Sequence, residues 1–566
     1  MIESNEVSVD DSNLQVQTNY GTVEGFSHIT PGGVKADIFL GIPYAEPPVD
    51  DLRLEKPIPP KKWDSVKETK DFTQACVPHN LLFGFLVDYN EDCLYMNIYK
   101  PSKKSSNPKG YPVLFWIHGG GFEMGDMPSY GFENITDLFI PRGVIVVAIQ
   151  YRLGQLGFMS TGDNVMPGNL GLWDQTLALK FVKENIAYFG GNPDKITVWG
   201  QSAGAASVDM LSLSPHSRNL FSQAIQNSGS SLTEWAFSDR VVGVTKKLAA
   251  DLGCPTNSSI AIKNCLKKAN LDDMHEKEDL RTITRNDFNF AWYQPRMDGD
   301  FFPKSLDELV VEAPKKPLMI GFMKIESQCF AIDGDRPIPS FELEYAVSED
   351  KVSSYNRTDF INFIRDYATP QEIFENDTKS ARKDILNFYL SNFTKKATGY
   401  NTFLSKFVQL VSDVQFNIPV IWNSILKRNA DWPVYLYRFD HITDFMAKQV
   451  QLKAPMHGAD LPYFFGKFLF AVLEPDQNDL KLQNSYINAI ANFVKTGNPS
   501  TRRNNWPSLQ KGQPLGFMRI APKMKYVERL PYYEKAANFW SNFAKKYRFD
   551  LIRGIYRDTK KPKAQL

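Results

Sequence analysis

The residues best suited to do chemistry lie in one stretch, Phe189–Ser207, which reads FGGNPDKITVWGQSAGAAS. At its centre Gly200-Gln201-Ser202-Ala203-Gly204 has the G-x-S-x-G form of a nucleophile elbow. A β-run, Ile196-Thr197-Val198-Trp199, leads into it and small helix formers follow, the strand–turn–helix setting that such an elbow needs. The turn holds its serine in a strained conformation, and a glycine two positions to either side leaves room for the neighbouring backbone. A chain with 35 glycines also produces such a pentapeptide by chance, so the partners of Ser202 decide its meaning.

A serine hydroxyl is a weak nucleophile at neutral pH. It needs a base, usually a histidine oriented by a carboxylate, and amide donors for the oxyanion of the tetrahedral intermediate. A donor loop is present upstream: Ile117-His118-Gly119-Gly120-Gly121-Phe122 directly follows the apolar run Pro112–Ile117, and the missing side chains let its backbone approach a substrate. The residue after the nucleophile, Ala203, supplies a further amide. Of seven histidines, His441 and His457 lie well beyond Ser202 and follow the run Val434–Phe439, whereas His216 and His275 come too early. His441 stands at a strand end, as a surface histidine does. His457 stands in a loop followed by small residues and an apolar segment, and is the favoured base. For the acid, Glu326 lies just past the run Leu318–Phe322, with Asp333 as its main competitor. Asp298 and Asp300 precede that run and fit turns.

These groups must be carried by strands and helices. Residues 14–42 alternate like short strands, and Leu94–Tyr99, Pro112–Ile117 and Val144–Ile149 resemble buried strands. Leu170–Ala187 has helical spacing and ends before Gly190-Gly191. Phe221–Asn227, Leu318–Phe322 and Val434–Phe439 are further strand-like runs, residues 350–430 read mostly as helices with charged faces, and Pro531–Arg548 reads as a terminal amphipathic helix. Buried strands alternating with helices argue for an α/β fold with a mixed or parallel sheet covered on both faces.

The bulk properties are those of an ordinary globular chain. Its 566 residues contain no repeat, low-complexity block or long linker, which favours one continuous domain. The 65 basic and 64 acidic residues give a formal charge of +1, so no electrostatic case exists for nucleic acid or an anionic membrane as partner. The first 16 residues lack the basic and apolar regions of a signal peptide, and no apolar run reaches the length of a membrane span, so a cytoplasmic location is expected. Five cysteines occur, Cys76, Cys93, Cys254, Cys265 and Cys329, none with C-x-x-C spacing. Reduced thiols are the default reading, while two local pairs also suit an exported ancestry, with the secretory pathway as the alternative location. No metal or organic cofactor is called for.

Together these residues resemble the type-B carboxylesterase, or cholinesterase-like, family. FGGNPDKITVWGQSAG matches its serine signature nearly throughout, and Glu91–Tyr99, EDCLYMNIY, matches its second signature. GIPYAEPP, GNLGLWDQ, the Asp298-Gly299 turn and HGADLPYFFG also match, and the similarity spans roughly residues 14–545. The resemblance implies an α/β-hydrolase fold: a central, mostly parallel twisted sheet with helices on both faces and a helical insertion over the active site. It implies a single domain, expected here over 14–550, and residues 1–13 are expected as a flexible tail and 551–566 as a basic tail. It implies Ser202 as nucleophile, Glu326 as acid, His457 as base, and the amides of Gly120, Gly121 and Ala203 as the oxyanion hole. Cys76–Cys93 and Cys254–Cys265 would be disulfides.

Departures from the family narrow the substrate. The Cys76–Cys93 loop holds no tryptophan, where cholinesterases use one to bind a quaternary ammonium, which points away from choline esters. Gln201 replaces a usual glutamate before the serine, Ser327 a glycine after the acid, and Asp460 a glutamate after the histidine. Trp235 matches a pocket-lining position and Phe288–Trp292 is expected along the acyl side, although both could be core aromatics. The expected function is serine-dependent hydrolysis of small to medium lipophilic carboxylic esters. The alternatives are acyl transfer to a metabolite alcohol through the same acyl-enzyme, and a non-catalytic binding protein like the neuroligins. The intact set of catalytic residues argues against the second.

Overall fold

Ile145–Ile149 and Leu318–Met323 (IVVAI and LMIGFM) lack the polar alternation of a half-exposed strand, and every residue in them is buried. Strands of this kind need cover on both faces, as in a parallel sheet between helices. The computed structural model describes residues 14–79, 88–279, 288–333, 343–391, 400–468, 471–472 and 474–556, and builds that arrangement.

Twelve strands run through one sheet: β1 (Leu14–Gln17), β2 (Thr22–Ile29), β3 (Lys35–Pro43), β4 (Tyr95–Pro101), β5 (Tyr111–Ile117), β6 (Ile145–Ile149), β7 (Gly191–Gln201), β8 (Gln223–Asn227), β9 (Leu318–Met323), β10 (Val434–Phe439), β11 (Phe517–Ile520) and β12 (Lys525–Val527). Their order in space is β1-β2-β3-β4-β6-β5-β7-β8-β9-β10-β11-β12, and the short strand Lys67–Glu68 pairs with β2 as a thirteenth. From β6 to β11 every neighbouring pair is parallel, whereas the two ends of the sheet are antiparallel. Parallel strands bring their carboxyl ends to one edge. The ends of β5, β7 and β9 therefore deliver Gly119–Gly121, Ser202 and Glu326 to the same edge, and the chain after β10 returns there with His457, which meets Glu326.

The sequence-based strands agree with these bounds to within a few residues, with two exceptions. β11 and β12 carry no strand signature, because they are only four and three residues long, and β12, at the sheet's edge, has no buried residue to set a pattern. The stretch 350–430 is helical as expected, but α4 (Tyr400–Ser412) and α5 (Ile418–Asn429) flank a segment buried on all sides from Leu410 to Ile421, rather than presenting a charged face there. On one side of the sheet lie α2 (Leu170–Asn185), α3 (Ala203–Leu213) and α5. On the other lie α1 (Glu133–Phe139) and α6 (Gln477–Thr496). Lys427 of α5 forms a fully buried ion pair with Asp209 of α3, which ties the helix after the elbow to its neighbour.

The expected tails at 1–13 and 557–566 lie outside the described residues. Residues 551–556 are not tail: Phe549–Asp550 pairs with Ile555–Tyr556, and Leu551 and Ile552 are buried. Two apolar side chains hold this turn against the body, and the Ile552 carbonyl accepts the Glu234 N–H at 2.9 Å.

Both local cysteine pairs are bridged, Cys76–Cys93 and Cys254–Cys265, and Cys329 is a buried thiol outside both bridges. Loops closed over 17 and 11 residues each stabilise the fold by about 3 kcal/mol through the unfolded chain. Alkylation in denaturant without reductant is therefore expected to label one of the five cysteines, and all five after reduction. Labelling of more than one cysteine before reduction would contradict the pairing.

Candidate active site

The elbow begins with β7, hydrogen-bonded to β5 on one side and β8 on the other, and ends where α3 starts at Ala203. Between them Ser202 has φ 57° and ψ −124°, a conformation that side-chain-bearing residues rarely adopt and that costs about 1–3 kcal/mol. It is held from both sides: the Ser202 N–H donates to Asn227 O at 2.8 Å, and the Ser202 carbonyl accepts the Ala206 N–H at 3.0 Å. Glycine is required around it by contact. A Cβ on Gly119 would lie 2.9 Å from the Ser202 Cβ, and one on Gly204 would run into the Ile117 carbonyl.

The donor loop after β5 turns through Gly120 (φ 109°), Gly121 (φ 66°) and Phe122 (φ 66°). Its carbonyls are used: Gly120 O accepts the N–H groups of Glu123 and Met124, both at 3.0 Å. Its amides differ, since among the described residues no protein acceptor takes the N–H of Gly120 or Gly121. Ala203 opens α3, where the first amides of a helix have no intrahelical partner. The base of the loop is rigid: His118 stacks on Tyr151 at 4.5 Å, its Nδ1–H donates to Gly119 O at 2.8 Å, and burial pushes its pKa down to about 4, so it stays neutral.

His457 and Glu326 meet as an orienting pair. Nδ1–H of His457 donates to Glu326 Oε2 at 2.8 Å, and the His457 N–H donates to the Glu326 carbonyl at 2.9 Å. The other carboxylate oxygen, Oε1, accepts the Met323 N–H at 2.6 Å. Glu326 is fully buried, so both its oxygens are spent on fixing the imidazole and the end of β9. Since Nδ1 carries the proton, Nε2 presents a lone pair toward the elbow. That lone pair accepts the side-chain amide of Gln201 at 3.1 Å, and among the described residues it makes no hydrogen bond with the Ser202 hydroxyl.

The rival candidates are placed elsewhere. His441 Nε2 pairs with Asp479 at 2.6 Å, Asp298 accepts the Phe302 N–H at 3.0 Å within its turn, and Asp300 pairs with Lys56 at 2.5 Å on the surface. The His457 Nδ1–H that Asp333 would have to accept is held by Glu326, and the Asp333 N–H donates to the Val347 carbonyl at 2.9 Å. Of the residues flagged by departure from the family, Asp460 is fully buried and accepts the Asn227 side-chain amide at 2.7 Å, and burial pushes its carboxyl up to about 7.

An aromatic wall stands beside the pair. Trp235 stacks on Phe290 at 5.0 Å, Phe290 on Phe330 at 4.9 Å, and Phe330 and Phe416 each contact His457, at 5.6 and 4.4 Å between ring centres. Phe290 also lies 3.7 Å from where a Cβ on Gly121 would sit, so the wall closes against the donor loop. Trp235 and Phe290 were expected near the site. Phe288 turns instead toward Tyr345 and Phe363, and the backbone of Trp292 is taken by the Glu123 carboxylate. Phe330 and Phe416 are not distinguished in the sequence. Phe330 is in principle readable as the residue four past Glu326, but Phe416 is brought in from a segment much further along the chain. Among the described residues no three His, Cys, Asp or Glu side chains converge as a metal site requires.

A strained serine at the carboxyl edge of a parallel sheet, an amide-lined glycine loop and a Glu–His pair from later strands form the site architecture of α/β-hydrolases. The sequence profile of the carboxylesterase family matches residues 12–540, and the chain belongs to that family. It is 36% identical to Gut esterase 1 of Caenorhabditis briggsae over 556 residues, covering 96% of this chain and 95% of that one. It is 31% identical to mouse Carboxylesterase 1F over 563 residues (95% and 94%), and 32% identical to the acetylcholinesterase of Bungarus fasciatus over 535 residues (88% and 82%). The protein is a serine hydrolase of carboxylic esters.

The Gln201 contact yields a signed prediction. A glutamate there would place a negative charge beside the imidazole, favouring the protonated form, which cannot act as base. Gln201→Glu is therefore expected to move the acid limb of the kcat/KM–pH profile to higher pH. An unmoved limb would mean that residue 201 does not act on His457 in solution.

Proposed function

We propose that Ser202 is the nucleophile, His457 its general base and acid, and Glu326 the carboxylate that orients the imidazole. The observation that carries this reading is the position of His457, locked by Glu326 on one side and touching the residue before Ser202 on the other. Substrate binding replaces the Gln201 amide at Nε2 with the Ser202 hydroxyl. Ser202 then attacks the ester carbonyl as its proton passes to Nε2. The oxyanion is received by the amides of Gly120, Gly121 and Ala203, and losing one such donor typically costs about 10²–10³ in kcat. The alcohol leaves with the imidazole's proton, and water, activated by the same nitrogen, hydrolyses the acyl-enzyme.

The preferred substrates are uncharged esters with a small to medium lipophilic acyl group. Support comes from the apolar wall of Trp235, Phe290, Phe330 and Phe416, and from the neutral Gln201 where a carboxylate would attract a cation. Maturation in an oxidising compartment fits the two bridged cysteine pairs better than the cytoplasm does. No helix among the described residues is long and apolar enough to cross a membrane.

Ser202→Ala is expected to lower kcat on p-nitrophenyl acetate by about 10⁴-fold or more. A variant as active as the parent would place the nucleophile elsewhere.

A further inference from the structure

The four rings of the wall come from four separate segments of chain, at residues 235, 290, 330 and 416. Rings from unrelated segments keep one stack when those segments share an anchor, and here the anchor is a single buried residue. Gln415, 1% exposed, donates from Nε2 to the Phe288 carbonyl at 2.9 Å and to the Tyr345 hydroxyl at 2.9 Å. Its Oε1 accepts the Ser327 hydroxyl at 2.8 Å. Its backbone carbonyl accepts the Trp235 indole N–H at 2.8 Å. Phe416 is its neighbour in the chain. Both amide protons are used, and each wall ring lies within three residues of a group bonded to Gln415.

Local sequence explains why this residue is available. Asp413–Asn417 forms a π-turn between α4 and α5, in which the Ile418 N–H reaches back five residues to Asp413 O. Such turns are uncommon and occur often at functional sites. Four residues after Gln415 stands Pro419, which has no N–H to return to the Gln415 carbonyl, and that carbonyl is left for Trp235. The turn is stapled from behind, where the buried Asp413 carboxylate accepts the hydroxyls of Tyr389 at 2.9 Å and Tyr532 at 2.6 Å.

The same residue reaches the catalytic acid. Ser327, which stands where the family usually carries glycine, directly follows Glu326. Its hydroxyl binds Gln415, and its N–H donates to Ser412 Oγ at 2.9 Å, so two residues of the α4–π-turn segment grip the position after the acid.

We propose that Gln415 is a positioning residue that couples the aromatic wall to the acid loop and thereby sets how long an acyl chain the site accepts; this rests on the reading of Ser202, His457 and Glu326 given above. Without the bond to the Phe288 carbonyl, the segment carrying Phe290 can draw back from Gly121. Without the bond to Ser327, the peptide after Glu326 loses a brace. The wall and the acid loop then respond separately, through two different partners of one side chain.

The test uses the full chain and p-nitrophenyl acetate and hexanoate, with Gln415→Leu, Tyr345→Phe and Ser327→Ala. Gln415→Leu is expected to raise the hexanoate-to-acetate ratio of kcat/KM by about tenfold or more, the discrimination that a few methylenes carry in an apolar pocket, and to lower kcat for both esters. Tyr345 packs its ring against Phe288 and its hydroxyl accepts the other Nε2 proton, so Tyr345→Phe frees the Gln415 amide to turn away from the Phe288 carbonyl and is expected to raise the ratio through KM for hexanoate, with kcat for acetate unchanged. Ser327→Ala is expected to lower kcat for both esters alike and leave the ratio in place. A general structural role would lower all activities together with thermal stability and would not split KM from kcat in this way. A folded Gln415→Leu protein with an unchanged ratio overturns the proposal. If that variant does not fold, Tyr345→Phe decides: a raised ratio supports the proposal and an unchanged one overturns it. Full activity in Ser202→Ala would overturn the reading of the site itself, and this proposal with it, whatever the ratios do.

Discussion

At Ser202 the chain must leave a buried strand and enter a helix through one residue with positive φ, and most of the surrounding architecture exists to make that turn tolerable. A side-chain-bearing residue keeps such a backbone only where its neighbours over-determine it. Here β8 supplies an acceptor for the Ser202 amide through Asn227 O, and glycines at 119 and 204 allow two segments to approach where no Cβ could fit. The Asn227 side chain is fixed in turn by the Trp199 indole and the Asp460 carboxylate. The strained serine is thus the innermost member of a network spanning β5, β7, β8 and the histidine loop.

A second constraint is the fixed orientation of the His457 imidazole. Glu326 has no exposed surface, and each of its carboxylate oxygens has a donor, so it has one orientation and gives His457 one tautomer. The rings of Phe330 and Phe416 cover the imidazole and lower the local polarity, which strengthens every remaining electrostatic interaction there. In that setting a neutral amide at position 201 differs from a carboxylate: it can occupy Nε2 without favouring the imidazolium. Gln201 and Ser327, which flank the proposed catalytic groups, both make hydrogen bonds that the family's usual glutamate and glycine could not make in the same way.

Much of the site is legible in the amino-acid sequence. Ser202 announces itself through glycine spacing, the donor loop through three consecutive glycines after a strand, and His457 through order along the chain, because each depends on local backbone requirements that restrict residue type. Glu326 is less legible, since a carboxylate after a strand has many uses, and the family resemblance rather than position separates it from Asp333. The aromatic wall is half legible: Trp235 and Phe290 lie near recognisable segments, whereas Phe416 and Gln415 lie in a helical stretch whose residues are all buried and so offer no periodic face. β11, β12 and the hairpin at 549–556 escape a reading of the sequence because elements of two to four residues carry little pattern of their own.

Fold class and the order along the chain of the groups proposed as catalytic follow from sequence, because hydrophobic periodicity and glycine placement act over a few residues. Only the packed molecule establishes that His457 rests on Gln201 and not on Ser202, that two cysteine pairs are close enough to bridge, and that Gln415 binds residues from segments up to 180 positions away. Those are contacts between distant segments, and their geometry is set by how the sheet and the helices over its edge pack, a constraint that no local stretch of sequence records.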